Sequence, residues 1–511
     1  MRLPMTYIDL RKQILEQEGE NYPGKIMIEM ELLPGYERAK KRLLPYIQTI
    51  NEAHLIMLIE QNIIDPVDGA VIMKALKNQN LEEYKNSVYD SHYEDLYFCM
   101  ESRLIKQTDG IAGNLHLARS RNDMCVAWSH MAVRDGILNV MNHLLELQNV
   151  MRLFAEEHKN TLYVIHTHTQ HAQPGLLGHY FIGVADMIGR GFKRLARAYE
   201  AANLSPMGAA AVTTSGFPVS RERVAELAGF SGVIENAYDA IGNSDYLTET
   251  AGVLALNALD IGRVVTDLIL WSTQELNVLR IADGYISTSS IMPQKRNPIA
   301  LEHLRASLSV TKGMADTVLT GFLKSPYGDI SDYEDIEDSL TASLELFDKN
   351  IRLLSAVIGT IEVNKELLEK RAYESFSVVT EIADQMYRSY KIPFRKAHSF
   401  VSYLVKRAGE KQYNLSNISK EFFAGIYEEF FGISFKFDFQ TILESIDPWH
   451  FVKCREVRGG TGERAMNAML DQAKEEILKN QIWLEEQEER LKKAEQEREQ
   501  AVKKVMEILN K

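Results

Sequence analysis

Two long tracts of this 511-residue chain contain no proline, one between Pro66 and Pro174 and one between Pro218 and Pro293. Proline inside a helix removes a hydrogen bond and clashes with the preceding turn, so its absence over such lengths leaves long helices possible. Apolar residues fill those tracts at helical spacing. From Asp123 to Asn160, Ile137, Val140, Met141, Leu144, Leu147, Met151 and Phe154 recur at steps of three or four. Gly175 to Asn203, Thr250 to Arg280 and Leu301 to Leu323 read as further long helices, and another begins near Tyr333. Strand-like alternation is scarce, so the chain is predicted to be mostly α-helical.

The remaining composition excludes several classes of function. A net charge of −13 argues against nonspecific nucleic-acid binding. The N-terminus, MRLPMTYIDLRKQ, has no apolar core of a secretory signal. The most apolar stretch, Val253 to Trp271, is broken by Asp260, Arg263 and Asp267, so no membrane span is expected. Cys99, Cys125 and Cys454 lie too far apart for a disulfide framework or a zinc pattern. A cytoplasmic protein acting on a small molecule, without membrane or nucleic-acid partners, is the expectation.

Three polar islands interrupt the helical pattern. Ile286 to Asn297, ISTSSIMPQKRN, fits no helical or strand period, and Pro293 within it and Pro298 after it disfavour helical continuation. A serine hydroxyl there is a poor base unless its alkoxide is stabilised. Lys295 offers a cation and Asn297 amide donors. Such a set suits removal of a carbon-bound proton next to a carboxylate, where developing negative charge needs donors placed in advance. An ordinary helix connection is the bland alternative. The second island, Ile111 to Asp123, packs Arg119, Ser120, Arg121 and Asn122 together, which suits carboxylate binding or helix capping, or both. The third, Thr161 to Pro174, carries His166, His168 and His171. With no Asp or Glu in the island and no clear helix, their spacing is a weak zinc signal.

SSIMPQKRNP strongly resembles the signature loop of the fumarase/aspartase superfamily. ARSRND and THTQHAQP resemble the other two blocks, and the third places the chain near the argininosuccinate lyase branch. The resemblance covers roughly residues 90 to 465. It implies an all-α fold of three domains (1–115, 116–365 and 366–511) with a central bundle of five long helices. It further implies a homotetramer whose active sites each draw on three subunits, with no metal or organic cofactor. By the same resemblance, Ser289 is the catalytic base, and Lys295 and Asn297 bind the aci-carboxylate intermediate. His168, held by Glu302, helps protonate the leaving amine. Ser120, Arg121, Asn122 and Thr167 hold the succinyl carboxylates, and Tyr327 survives from the block that holds the distal substrate. The implied reaction eliminates an amine from an N-substituted aspartate to give fumarate, with argininosuccinate as the leading substrate.

Several positions depart from the pattern. Thr288 replaces the loop glycine, Asn114 a lysine, and Leu117-Ala118 a Thr-Gly pair. Gly242 to Asp245 lacks an arginine. In Tyr327 to Asp335, YGDISDYED, Asp332 and Asp335 stand where the branch has glutamine and lysine. The elimination set is complete, but recognition of the arginine part differs, as in the ethylenediamine-disuccinate lyases. A catalytically silent structural paralogue is the reading from another class; joint retention of His168, Ser289, Lys295, Asn297 and Glu302 favours the enzyme. Ile477 to Lys511 is a charged stretch with a heptad-like seam weakened by Gln487 and Arg498. It reads as a short coiled coil, an edge helix or a solvated tail.

Overall fold

A computed structural model describes residues 6–510. The chain is helix-dominated, as expected. The elements that position the candidate site are α1 (Leu44–Glu60), α2 (Pro66–Lys77), α3 (Leu96–Gln107), α4 (Arg121–Glu157), the hairpin β1 (Leu162–Thr167) and β2 (Gln170–Leu176), α5 (Leu177–Ala202) and α6 (Asp245–Trp271). A two-residue pair β3 (Ser287–Thr288) and β4 (Arg296–Asn297) follows, then α7 (Ile299–Phe322), α8 (Asp332–Ile358) and a last long helix, α9 (Glu463–Glu507). Helices α4 to α8 form the five-helix bundle.

Capping fixes where these helices begin. Asp95 accepts the Phe98 N–H at 2.8 Å to start α3. Ser120 and Asp123 form a reciprocal capping box at the head of α4, which satisfies N–H groups that have no partner within the helix. The third bundle helix ends at Trp271, earlier than its apolar pattern suggests. Ser272 and Thr273 hydroxyls donate to the carbonyls of Ile269 and Leu270 at 2.8 and 2.7 Å, occupying the acceptors that further turns would use.

The bundle core is built from the inward-facing residues of α4 to α8, with Phe181, Phe192 and Phe347 buried. Each such side chain contributes about 1.5–3 kcal/mol by leaving water. A second core joins α1, α2, α3 and the start of α4 to residues 207–230. A third, rich in phenylalanine, lies within residues 378–451.

Helix α9 resolves the three readings of the charged tail: it is an edge helix. Leu470, Ala473 and Leu484 join the bundle core, and Ala501, Val502 and Val505 join the second one. The two seam positions that weaken the apolar pattern both find hydrogen-bond partners, Gln487 on its own helix and Arg498 across the core. Gln487 is buried, with its amide directed at the Trp483 carbonyl at 3.4 Å. Arg498 donates to the Leu227 carbonyl at 2.9 Å and pairs with buried Glu52 at 3.3 Å.

One partly buried acid in the bundle makes stability depend on pH. The Glu337 carboxyl on α8 lies by Ser129 and within 3.5 Å of the Tyr246 hydroxyl, and burial pushes its pKa up to about 7. A raised folded-state pKa means the protonated form is favoured in the fold. That contribution is complete below the ordinary glutamate range and is lost as pH rises through about 7. Glu337→Gln is therefore expected to match wild type near pH 4 and to be more stable at pH 8 by on the order of 2 kcal/mol. Denaturant unfolding at the two pH values checks this; an equal difference at both would locate the proton elsewhere.

Candidate active site

The bundle has two ends, joined by α4. Helix α4 carries Ser120, Arg121 and Asn122 at its head and leads into the hairpin at its tail. Its 37 residues at about 1.5 Å each span roughly 55 Å. The expected site residues divide between these ends.

At the tail end, β1 and β2 pair in antiparallel register, Thr167 opposite Gln170. His168 and Thr169 form the two-residue turn, with φ of 52° and 60°. Both are left-handed, as a type I′ hairpin turn requires. The sequence showed no clear helix over Thr161 to Pro174 and gave no sign of this hairpin. The usual Asn-Gly signal is absent, and a β-branched threonine in this region is strained. The Thr169 hydroxyl donates to the His168 carbonyl at 2.6 Å, bracing the turn. His168 and Thr167 are exposed at the tip. His166 and His171 pack edge to face at 5.0 Å, with Tyr163 bonded to His166 at 3.2 Å.

The signature loop lies at the same end. Trp271, which closes α6, packs edge-on against Tyr163 of β1 at 5.4 Å, and the loop then runs back into α7. Ser287 pairs with Asn297 and Thr288 with Arg296, so Ser289 to Lys295 is the tip of a narrow ribbon. Arg296 fastens the ribbon to the Ile281 carbonyl at 2.8 Å and to Asp283 at 2.6 Å. Ser289 Oγ accepts the N–H groups of Ile291 and Met292 at 3.3 and 3.2 Å. Two backbone donors aimed at one hydroxyl oxygen favour its negatively charged form, the function expected of Lys295 and Asn297 alone from the sequence. Asn297 directs its amide to Ser287 at 3.4 Å, and Lys295 reaches solvent. Glu302 sits on the first turn of α7, exposed. Among the described residues no hydrogen bond joins it to His168.

At the head end, Ser120 caps α4 and accepts the Asn122 N–H at 3.3 Å. Arg121 pairs with Glu94 at 3.1 Å and Asp95 at 2.6 Å and lies over the Phe98 ring, so a substrate carboxylate would share it with those acids. The head of α8 is nearby, because Tyr333 donates to the Gly242 carbonyl at 2.9 Å and His130 of α4 stacks on Tyr246 of α6 at 3.7 Å. Tyr327 is exposed, its hydroxyl bonded to Asp239, while its carbonyl accepts the Tyr238 hydroxyl at 2.9 Å. Asp332 and Asp335 are exposed on the first turn of α8, and Asp332 accepts the Ser325 hydroxyl at 3.2 Å.

Sequence reasoning gave Asp123 no role beyond the helix capping left open for the Ile111 to Asp123 island. The residue is fully buried, and its carboxylate takes three backbone N–H groups. Burial pushes its pKa up to about 6, against the pull of those donors. Elsewhere, Glu381, His450 and Cys454 bring three ligand-type atoms within 4.8 Å of one another. The Glu381 carboxylate is already held by Arg388 and, at 3.0 Å, by Arg455, and two guanidinium groups oppose a cation there.

The fold and the signature loop define a lyase of the fumarase/aspartase type. The lyase family model matches residues 60–313, and the argininosuccinate lyase C-terminal model matches residues 376–453. Argininosuccinate lyase from Methanocaldococcus jannaschii is 36% identical over 89% of this chain and 91% of its own length. The enzyme of that name from Methanococcoides burtonii is 35% identical over 85% and 88%. The crystal structure of EDDS lyase in complex with formate superposes with a TM-score of 0.81 at 27% identity, covering 94% of this chain and 96% of that one. The fold is shared with 3-carboxy-cis,cis-muconate lactonizing enzyme from Pseudomonas putida, at 16% identity and a TM-score of 0.69 over 90% and 100% of the two chains. The chain belongs to the argininosuccinate lyase family, and it is a carbon–nitrogen lyase.

Proposed function

We propose that the protein eliminates an amine from an N-substituted aspartate to release fumarate, with argininosuccinate as the leading substrate. Ser289 Oγ takes the Cβ proton, and the electron pair forms the aci-carboxylate, held by Lys295 and Asn297. Collapse of that intermediate breaks the Cα–N bond, and the leaving nitrogen gains a proton with help from His168. Ser120, Asn122, Thr167 and Arg121 hold the carboxylates. The observation that carries this reading is the Ser289 hydroxyl with two backbone N–H groups aimed at it, at the tip of a ribbon that also bears Lys295 and Asn297. The family supplies the reaction class.

The separation of the two ends supports an assembly in which different copies contribute to each site. Ser289 and the Ser120–Asn122 turn, at opposite ends of a helix roughly 55 Å long, cannot act on one small molecule within one chain. Leu256, Leu259, Val310 and Leu319, on α6 and α7, each leave about half of their surface in water, and a second copy would cover them. A homotetramer with shared sites, a division near residues 115 and 365, and a cytoplasmic location complete the reading.

Asp332 and Asp335 favour a second substrate. With acids at these two positions in place of glutamine and lysine, a leaving amine with extra positive charge is attracted and one bearing a carboxylate is repelled. A solvent-screened pair of this kind is worth roughly 1–2 kcal/mol, about tenfold or somewhat more in affinity. The test is fumarate release, read by absorbance, from argininosuccinate and a panel of N-substituted aspartates. The second reading expects a higher kcat/KM for a diamine-type member than for argininosuccinate, and a narrower gap in Asp335→Lys. Efficient argininosuccinate cleavage, unchanged or reduced in that variant, restores the leading substrate. No fumarate from any member would overturn both.

A further inference from the structure

We propose that Asp123 is a positioning residue that locks the Met207–Thr214 segment onto the head of α4, so that this segment and the Ser120–Asn122 turn form one rigid wall of the carboxylate-binding end. The inference rests on the function proposed above and adds to it a residue and a segment with no assigned role there.

The two oxygens of this carboxylate have separate tasks. Oδ1 accepts the Ser120 N–H at 2.9 Å, which completes the capping box. Oδ2 accepts the N–H groups of Gly208 and Ala210, both at 3.0 Å. Capping needs only the first oxygen. The second reaches across the chain to a segment that belongs to no helix.

That segment does not hold its shape by preference. Gly208, Ala210 and Thr214 have φ of 79°, 53° and 65°. Alanine and threonine occupy the left-handed region at a cost, threonine the more because it is β-branched, and such residues persist where the surroundings over-determine them. Here the surroundings are identifiable. Asp123 grips the segment from one side. From the other, Arg221 donates to the Met207 carbonyl at 2.9 Å and the Ile234 carbonyl at 2.8 Å. The Thr214 N–H closes the turn on the Ala209 carbonyl at 2.9 Å. Ala211, Thr213 and Thr214 are left exposed, while Met207 and Ala209 are buried as anchors.

The turn above is held equally firmly. Arg119, also buried, donates to the Tyr97 hydroxyl at 3.0 Å, tying the residue before Ser120 to α3. The Ser120–Asn122 turn therefore sits between two buried charged side chains. Arg119 fixes it to the helical layer behind, and Asp123 fixes the left-handed segment to it.

The experiment compares Asp123→Asn and Gly208→Ala with the wild-type assembly. Asparagine cannot serve all three N–H groups, because its amide nitrogen faces donors. The Gly208→Ala methyl would lie 2.6 Å from Arg221 Cγ and displace the segment from its other side. Amide exchange is read first: in Asp123→Asn the amides of Gly208 and Ala210 are expected to exchange at least about tenfold faster, with the middle of α4 unchanged. Steady-state kinetics follow: both variants are expected to raise KM about tenfold or more while kcat falls much less. If Asp123 served folding alone, kcat would drop with the folded fraction and KM would stay constant. That result, or wild-type protection of the two amides in Asp123→Asn, overturns the proposal. A wild-type enzyme that releases no fumarate is a separate failure, of the function, and the exchange measurement still decides the coupling.

Discussion

Ser289→Ala is expected to lower kcat by roughly 10²–10⁴-fold, the usual cost of removing a general base. The fold should be untouched. Ser289 is only partly buried, and its bonds are two N–H groups within its own loop, so alanine breaks no core packing. KM should change little, because Ser120, Arg121 and Asn122, proposed to hold the carboxylates, lie at the head of α4 and are untouched by the substitution. Stopped assays for fumarate, alongside helix content by circular dichroism, measure both. The orientation of the two N–H donors sharpens the expectation. They serve an oxygen at position 289 and lose their purpose when it is gone, so a small exogenous base should restore little. Near-normal turnover would shift the role to Ser290, the next hydroxyl along the ribbon.

The second large effect is expected from mixing two inactive variants. Asn122→Ala damages the head of α4 and Ser289→Ala the signature loop, and each alone should leave little activity. If every site draws these parts from different copies, co-refolding equal amounts makes each part intact half of the time. About one site in four then has both, and activity should recover to about a quarter of wild type. Mixtures no more active than the separate variants would mean that a single chain supplies both ends. The roughly 55 Å length of α4 argues physically against that outcome, since a packed helix does not shorten to bring its termini together.

Much of the molecule is dictated locally and was readable for that reason. Helical periodicity depends on side chains three and four apart, so α4, α5, α7 and the start of α8 could be traced to within a few residues, whereas α6 was placed too late at both ends; the three polar islands stood out between them. The identities of Ser289, Lys295 and Asn297 came with the loop motif. The ends of elements were harder, because they depend on individual hydrogen bonds, as the hydroxyls of Ser272 and Thr273 show for α6. The hairpin at Leu162 to Leu176 escaped notice because its turn is His168-Thr169 rather than a glycine-containing pair.

Other properties exist only in three dimensions. Nothing near Arg498 in sequence indicates Glu52, yet that pairing lets an arginine occupy the inner seam of α9. Nothing near Asp123 indicates that one of its oxygens serves Gly208 and Ala210. The sequence alone determined the long helical elements, because these follow from spacing and residue type, and its three motif blocks carried the resemblance to the family. Tertiary structure decided that Ser289 and the Ser120–Asn122 turn stand at opposite ends of α4, because a rigid helix of 37 residues converts chain distance directly into distance in space.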